Sequence, residues 1–210
     1  MRNFTGFVLL LSAACFAFTT QDDAETLVMK AAQQEMPSWL AKIPVGQESY
    51  FGFTSREEFN SCSVAEPYHT ITFSTDFYSD DQLDHSKNYI VILNEWRVPV
   101  TVSGENRVLL TVNEKDSAYT VNDIGGSGLA RELQEKTTGN SEGHNYILRI
   151  YPMTMDILVH TSPGQSIAEG TYIPMNSALM SVKDFSSKPT FTQAEVLKLV
   201  KAKSREQGQH

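Results

Sequence analysis

Trp96-Arg97-Val98-Pro99-Val100-Thr101-Val102-Ser103-Gly104-Glu105-Asn106-Arg107-Val108-Leu109-Leu110-Thr111-Val112 carries the clearest structural pattern in the chain. Val98, Val100 and Val102 alternate, Ser103-Gly104-Glu105-Asn106 supplies turn residues, and Val108, Leu110 and Val112 alternate again. A period of two on both sides of a turn predicts a β-hairpin with one apolar face. Pro99 has no N–H to give to a ladder, so its strand is expected at a sheet edge or paired on one side only. Trp96 shares the face of the valines and Arg97 takes the other. This favours a core tryptophan over a surface anchor, although Trp and Arg dominate interface hot spots.

Downstream of the hairpin, Ala118 to Val121 reads as a third strand running into Gly125-Gly126-Ser127-Gly128. A helix with Leu129 and Leu133 follows and ends near Gly139. Tyr146–Tyr151 and Asp156–His160 form a strand pair broken or bent at Pro152, Ser162-Pro163-Gly164 is a turn, and Tyr172 to Val182 is extended. In the last helix Phe191 staples to Val196, Thr192 caps, Glu195 completes the box, and the tail after Lys203 is polar and frayed.

Upstream, Tyr89-Ile90-Val91-Ile92-Leu93 is a separate, fully apolar strand, and Tyr68 to Phe73 alternates as a half-buried one. Ser55-Arg56-Glu57-Glu58 fits a capping box for a brief helix through Phe59, while Tyr50-Phe51-Gly52-Phe53 is too short to assign. The first helix is capped by Asp22 or Asp23 and carries Ala24, Leu27, Val28 and Ala31; Pro37 starts a second short turn through Trp39-Leu40. These elements predict an α+β fold: a largely antiparallel sheet, helices at both termini, and one inserted helix, all packed on one face.

Residues 1–19 read as an export signal, 20–206 as a single α+β domain and 207–210 as a frayed tail. Arg2 precedes an apolar run from Phe7 to Phe18, which inserts into a translocon but is too short to span a bilayer. Cleavage after Cys15-Phe16-Ala17 gives a periplasmic or extracellular protein with no transmembrane helix in the mature chain. A lipid anchor on Cys15 is the alternative, because Leu11-Ser12-Ala13-Ala14 departs from the lipoprotein box. Loss of Arg2 takes the formal charge from −8 to −9, which disfavours nucleic acid as a partner.

Without Cys15, Cys62 stands alone, so no internal disulfide is expected, and a buried, inert thiol is the reading. Gly125-Gly126-Ser127-Gly128 misses the hydrolase elbow because position 129 is Leu, and no phosphate-loop Lys follows. It reads as a tight strand-to-helix turn. Asp76, Asp80, Asp81, Asp84 and His85 lack the calcium-loop pattern and read as a solvated loop. His69, His85, His144, His160 and His210 have no zinc spacing, and a Cys62–His69 pair has no support in the spacing. Lys198, Lys201, Lys203 and Arg205 complement the dipole of the last helix. No catalytic, cofactor or metal residue is therefore assigned.

Tyr50-Phe51-Gly52-Phe53, Arg56-Glu57-Glu58-Phe59, Trp96-Arg97-Val98-Pro99-Val100, Leu109-Leu110-Thr111-Val112 and Gly126-x-Gly-Leu-Ala-x-Glu-Leu together resemble small exported bacterial proteins of uncharacterised function. The resemblance implies a bacterial envelope protein and carries over no site residue. The functional expectation is a non-enzymatic module of the envelope or extracellular space that binds another exported protein or a small ligand, with β-augmentation at the Pro99 strand. The alternatives are a small secreted hydrolase with Ser127 or Cys62 as nucleophile, and an inhibitor or propeptide-like partner of an exported protease.

Overall fold

A computed structural model describes residues 21–84, 86–138 and 142–207 of the chain. The export signal, the Cys15 alternatives, His85, Gly139 and His210 lie outside these residues. In chain order come α1 (Gln21–Ala41), β1 (Cys62–Val64), β2 (Tyr68–Phe73), α2 (Thr75–Ser79), β3 (Ile90–Val102), β4 (Glu105–Lys115) and β5 (Ala118–Gly125). Then follow α3 (Ser127–Thr137), β6 (His144–Ile150), β7 (Met155–Thr161), β8 (Thr171–Pro174), α4 (Asn176–Ser181) and α5 (Gln193–Gln207). The fold is α+β, as the sequence predicts.

The hairpin is present, closed by Ser103 (φ 52) and Gly104 (φ 82) in the left-handed region. Its first strand is longer than expected. The apolar run at Ile90 and the alternating run at Val98 are one strand of 13 residues, not two. The strand order is β5-β4-β3-β2-β6-β7-β8, with β1 paired to β3 off this path. Every pairing is antiparallel except β2 with β6.

β3 belongs to two half-sheets. Val100–Val102 pair with β1 on one side, and Glu95–Val102 pair with β4 on the other. From Arg97 down to Ile90 the β1 side is taken by β2. Between the halves the register slips: His69 to Ile71 on β2 face Trp96 to Ile92 on β3, so β3 carries two extra residues. The His69 ring fills this bulge. It stacks on Trp96 at 3.7 Å between centroids and contacts the Leu93 carbonyl at 2.7 Å through Nε2. Burial pushes its pKa down to about 4, so the ring is neutral and donates Nε2–H to that carbonyl.

Pro99 is not at an edge; of the two expectations it meets the second, pairing with a strand on one side only. It pairs with Leu109 of β4, and its carbonyl accepts the Ala65 N–H at 2.9 Å. A strand residue aims its N–H and C=O to the same side, so the missing donor faces the short β1–β2 connection and breaks no bond to β4.

Helices cover both faces, not one. Val28, Ala32, Met36 and Leu40 of α1 cluster with Trp96, Val98, Leu110 and Val112. On that same face, Val196 and Val200 of α5 and Phe77 of α2 cluster with Ile71, Leu148 and Ile157. The neighbour of Leu110, Leu109, points the other way and packs with Tyr68, Ile147 and Leu158 under Ala130 and Leu133 of α3. The hairpin is therefore apolar on both faces at this point. Each fully buried aliphatic side chain in these layers contributes about 1.5–3 kcal/mol.

Other departures have local causes. α1 runs through Pro37 without a second start, because Met36 (3 % exposed) and Leu40 (2 %) both reach the core. Their burial offsets the roughly 3 kcal/mol that an interior proline costs. Val28 and Ala32 set its inner face, and Leu27 is exposed. The segment expected to be extended from Tyr172 to Val182 is strand only to Pro174 and then turns into α4. At the C-terminus the capping box is made: Glu195 accepts the Thr192 N–H at 2.9 Å, and α5 persists past Lys203 to Gln207. Among the described residues, no helix is long and apolar enough to cross a membrane.

Candidate functional site

The chemistry singled out in the sequence is dispersed. Gly126 takes a left-handed φ of 71° at the turn into α3, and the Ser127 hydroxyl donates to the Tyr50 carbonyl at 2.9 Å. That hydroxyl is held by a backbone acceptor, not by an imidazole. Cys62 is half-buried rather than fully buried; its thiol donates to the Glu58 carbonyl at 3.3 Å. Burial, then the Glu58 charge, push its pKa up to about 11, so the thiolate is suppressed. Cys62 lies beside Val102 and His69 beside Trp96, about 20 Å apart along β3 at strand rise.

Among the acidic residues, Asp80 accepts bonds from Lys87 Nζ and the Tyr89 hydroxyl, both at 2.9 Å, and Asp84 accepts the Ser86 hydroxyl. His144 pairs with Glu25 at 3.1 Å and His160 with Asn145 at 3.0 Å. Among the described residues no group of three or more His, Cys, Asp or Glu is placed to hold a metal. Lys201 does more than complement the dipole of α5. It is buried, and its ammonium donates to the carbonyls of Phe77 (2.5 Å) and Tyr78 (3.1 Å), closing the end of α2.

Trp96 is buried and Arg97 lies on the opposite face, as the alternation predicts. There Arg97 donates to Glu95 (3.0 Å) and Thr111 (2.6 Å). On β6 and β7, Arg149 Nε reaches Asp156 Oδ1 at 3.2 Å. Burial raises the Asp156 pKa, with Arg149 and Arg97 opposing the shift. Two guanidiniums and two carboxylates thus form a neutralised patch beside half-exposed Tyr151.

The least expected feature is an open edge on β3. β4 leaves β3 at the Glu95–Asn113 pair, and the Asn113 amide covers the Asn94 carbonyl at 3.1 Å. Below that point, among the described residues, no strand lies on the β4 side of Ile90–Asn94. Ser74 N–H bonds the Tyr89 carbonyl at 2.8 Å, which fixes the phase of the β2–β3 ladder. Val91 therefore exchanges bonds with Thr72, while Ile90 and Ile92 aim their backbone groups outward. Asn88 Oδ1 caps the Ile90 N–H at 3.0 Å. Ile92 is 52 % exposed beside Val91 at 39 %, and among the described residues no strand meets its outward backbone groups. No charge or proline guards the stretch Ile90-Val91-Ile92-Leu93-Asn94.

Sequence reading found this apolar run but not its open side. An edge is defined by where a distant partner departs, and that departure is a property of β4.

No family model matches the chain, and no curated protein or solved structure matches it either.

Proposed function

We propose that the protein is a non-enzymatic binding module that captures an extended segment of another polypeptide by adding it as a strand to the Ile90–Asn94 edge of β3. One observation carries this reading: an outward-facing Ile92 backbone flanked by exposed apolar side chains, with neither a charge nor a proline in Ile90–Asn94 and side-chain caps only at its two ends. Only another backbone offers alternating acceptors and donors at strand spacing, so the chemistry of the edge selects an extended peptide. The export signal read in the sequence sets this activity in the envelope or outside the cell.

The β-augmentation expected at Pro99 moves about one half-strand away, to the end of β3 that β4 abandons. A capped peptide of alternating threonine and leucine, with a lysine at each end for solubility, tests the reading. Binding should shift the amide resonances of Ile90–Asn94 and be abolished when the peptide is N-methylated along one edge. Equal binding of the N-methylated peptide would refute strand addition.

A further inference from the structure

The open edge is continuous with a cleft. On the α5 side of the sheet, a cleft of about 440 Å³ runs between β3 and the β7–β8 connection. Its floor is Ile90 and Ile92, and its far wall is Ile167 and Ala168. Ile92 thus serves two surfaces: its backbone forms the edge, and its side chain forms the cleft floor. A strand laid against the edge sends every second side chain to this face, because side chains alternate across a sheet.

The wall opposite β3 is held in place. Tyr172 donates its hydroxyl to the Ile167 carbonyl at 2.9 Å, and the Ser166–Glu169 capping box fixes the turn (Ser166 N–H to Glu169 at 2.9 Å). Among the described residues the rim is polar but offers no unbalanced charge. The cation among them, Lys87, is paired with Asp80 at 2.9 Å, and Asn88 and Gln193 are neutral amides. The volume falls in the lower part of the range of small-ligand pockets and exceeds what a single small side chain fills. A charged side chain would lose water here without gaining a counter-ion.

We infer that this cleft is the specificity pocket of the strand-binding site, and that the captured segment carries a large uncharged apolar side chain, aliphatic or aromatic, at the position that points toward Ile92. The inference rests on strand addition at Ile90–Asn94 and adds the identity of the side chain that addition selects.

The experiment titrates the isotope-labelled full chain with three capped peptides: the threonine–leucine peptide, the same peptide with serine at each leucine, and the N-methylated version. The leucine peptide should bind at least about tenfold more tightly than the serine peptide, the effect of moving several methylenes out of water. The substitution Ala168→Trp, which fills the cleft from its exposed wall, should erase that difference while leaving the serine peptide's affinity unchanged. Ile92→Asp should abolish binding of both peptides without unfolding the protein, since Ile92 is half exposed. Equal affinities for leucine and serine peptides, both lost on N-methylation, would overturn the pocket and leave strand addition standing. No perturbation by any peptide would overturn both.

Discussion

The outer edge of β5 and the Ile90–Asn94 edge of β3 are both reachable from solvent, yet they are finished in different ways. On β5 the Val121 N–H meets the Glu35 carboxylate of α1 at 3.3 Å, and the flanking Thr120, Asn122 and Asp123 are exposed polar residues. The far edge of the sheet, β8, is closed by Phe191, which exchanges backbone bonds of 3.0 and 2.8 Å with Tyr172. The β3 edge has Ile and Val in place of polar residues, and side-chain amides cap it only at its ends, Ile90 and Asn94. An edge with apolar residues where two others are blunted is the feature that the proposed strand addition would use. The same contrast holds within β3, whose upper half is flanked on both sides and whose lower half is flanked on one.

Five measurements test this contrast. The largest effect should come from the closed half: Trp96→Ala, which empties a 2 %-exposed site, should cost about 3–5 kcal/mol in urea unfolding. Ile92→Ala should cost less than about 1 kcal/mol, and equal losses at the two sites would mean that Ile92 is not at a free edge.

The second probe is acid, acting at the bulge between the halves. His69 has its pKa lowered from 6.5 to about 4 by burial, so its contribution is complete above pH 6.5. That contribution is lost as pH falls through the window toward 4, up to about 3 kcal/mol in all. The pH dependence of the urea midpoint should flatten in this window in His69→Phe, and an unchanged slope would assign the loss to other groups.

Third, Glu35→Ala removes the cap on β5. It should cost about 1 kcal/mol and speed hydrogen exchange at the Val121 amide, making the guarded edge behave like the open one. The smallest change in stability belongs to Ile92→Lys, within about 0.5 kcal/mol of the parent, although it installs the gatekeeper that the edge lacks. In the same exchange experiment on the parent, the Ile92 amide should exchange about a hundredfold faster than its neighbour Val91, which is bonded to Thr72. Comparable protection at the two amides would show that something covers the edge.

The elements legible in the sequence are those whose signal is local. Tyr68–Phe73, the Val98–Val112 hairpin and the Thr192–Glu195 box declare themselves through alternation or capping chemistry within a few residues. What escaped depends on distant partners. The polar Asn94-Glu95 between its two apolar runs hid the continuity of β3, and Pro99 is tolerated centrally because its bare side meets a connection and not a ladder. Pro37 reads as a break until Met36 and Leu40 are seen buried on either side of it. Lys201 reads as a surface cation, and nothing in its neighbours reveals that the carbonyls of α2 await it. The candidate site was legible only as composition: an apolar run whose free side is set by the point at which β4 turns away.

The one parallel pairing among the described residues, β2 with β6, also sets a clock. His69 pairs with Tyr146, so 77 residues (146 minus 69) separate the partners. At about 5–20 residues per second of synthesis, the outer side of β2 waits on the order of four to fifteen seconds after emerging before its neighbour exists. During that interval the nascent chain exposes a β2 flank that the finished protein conceals, and whatever escorts it must shield two open strands rather than one.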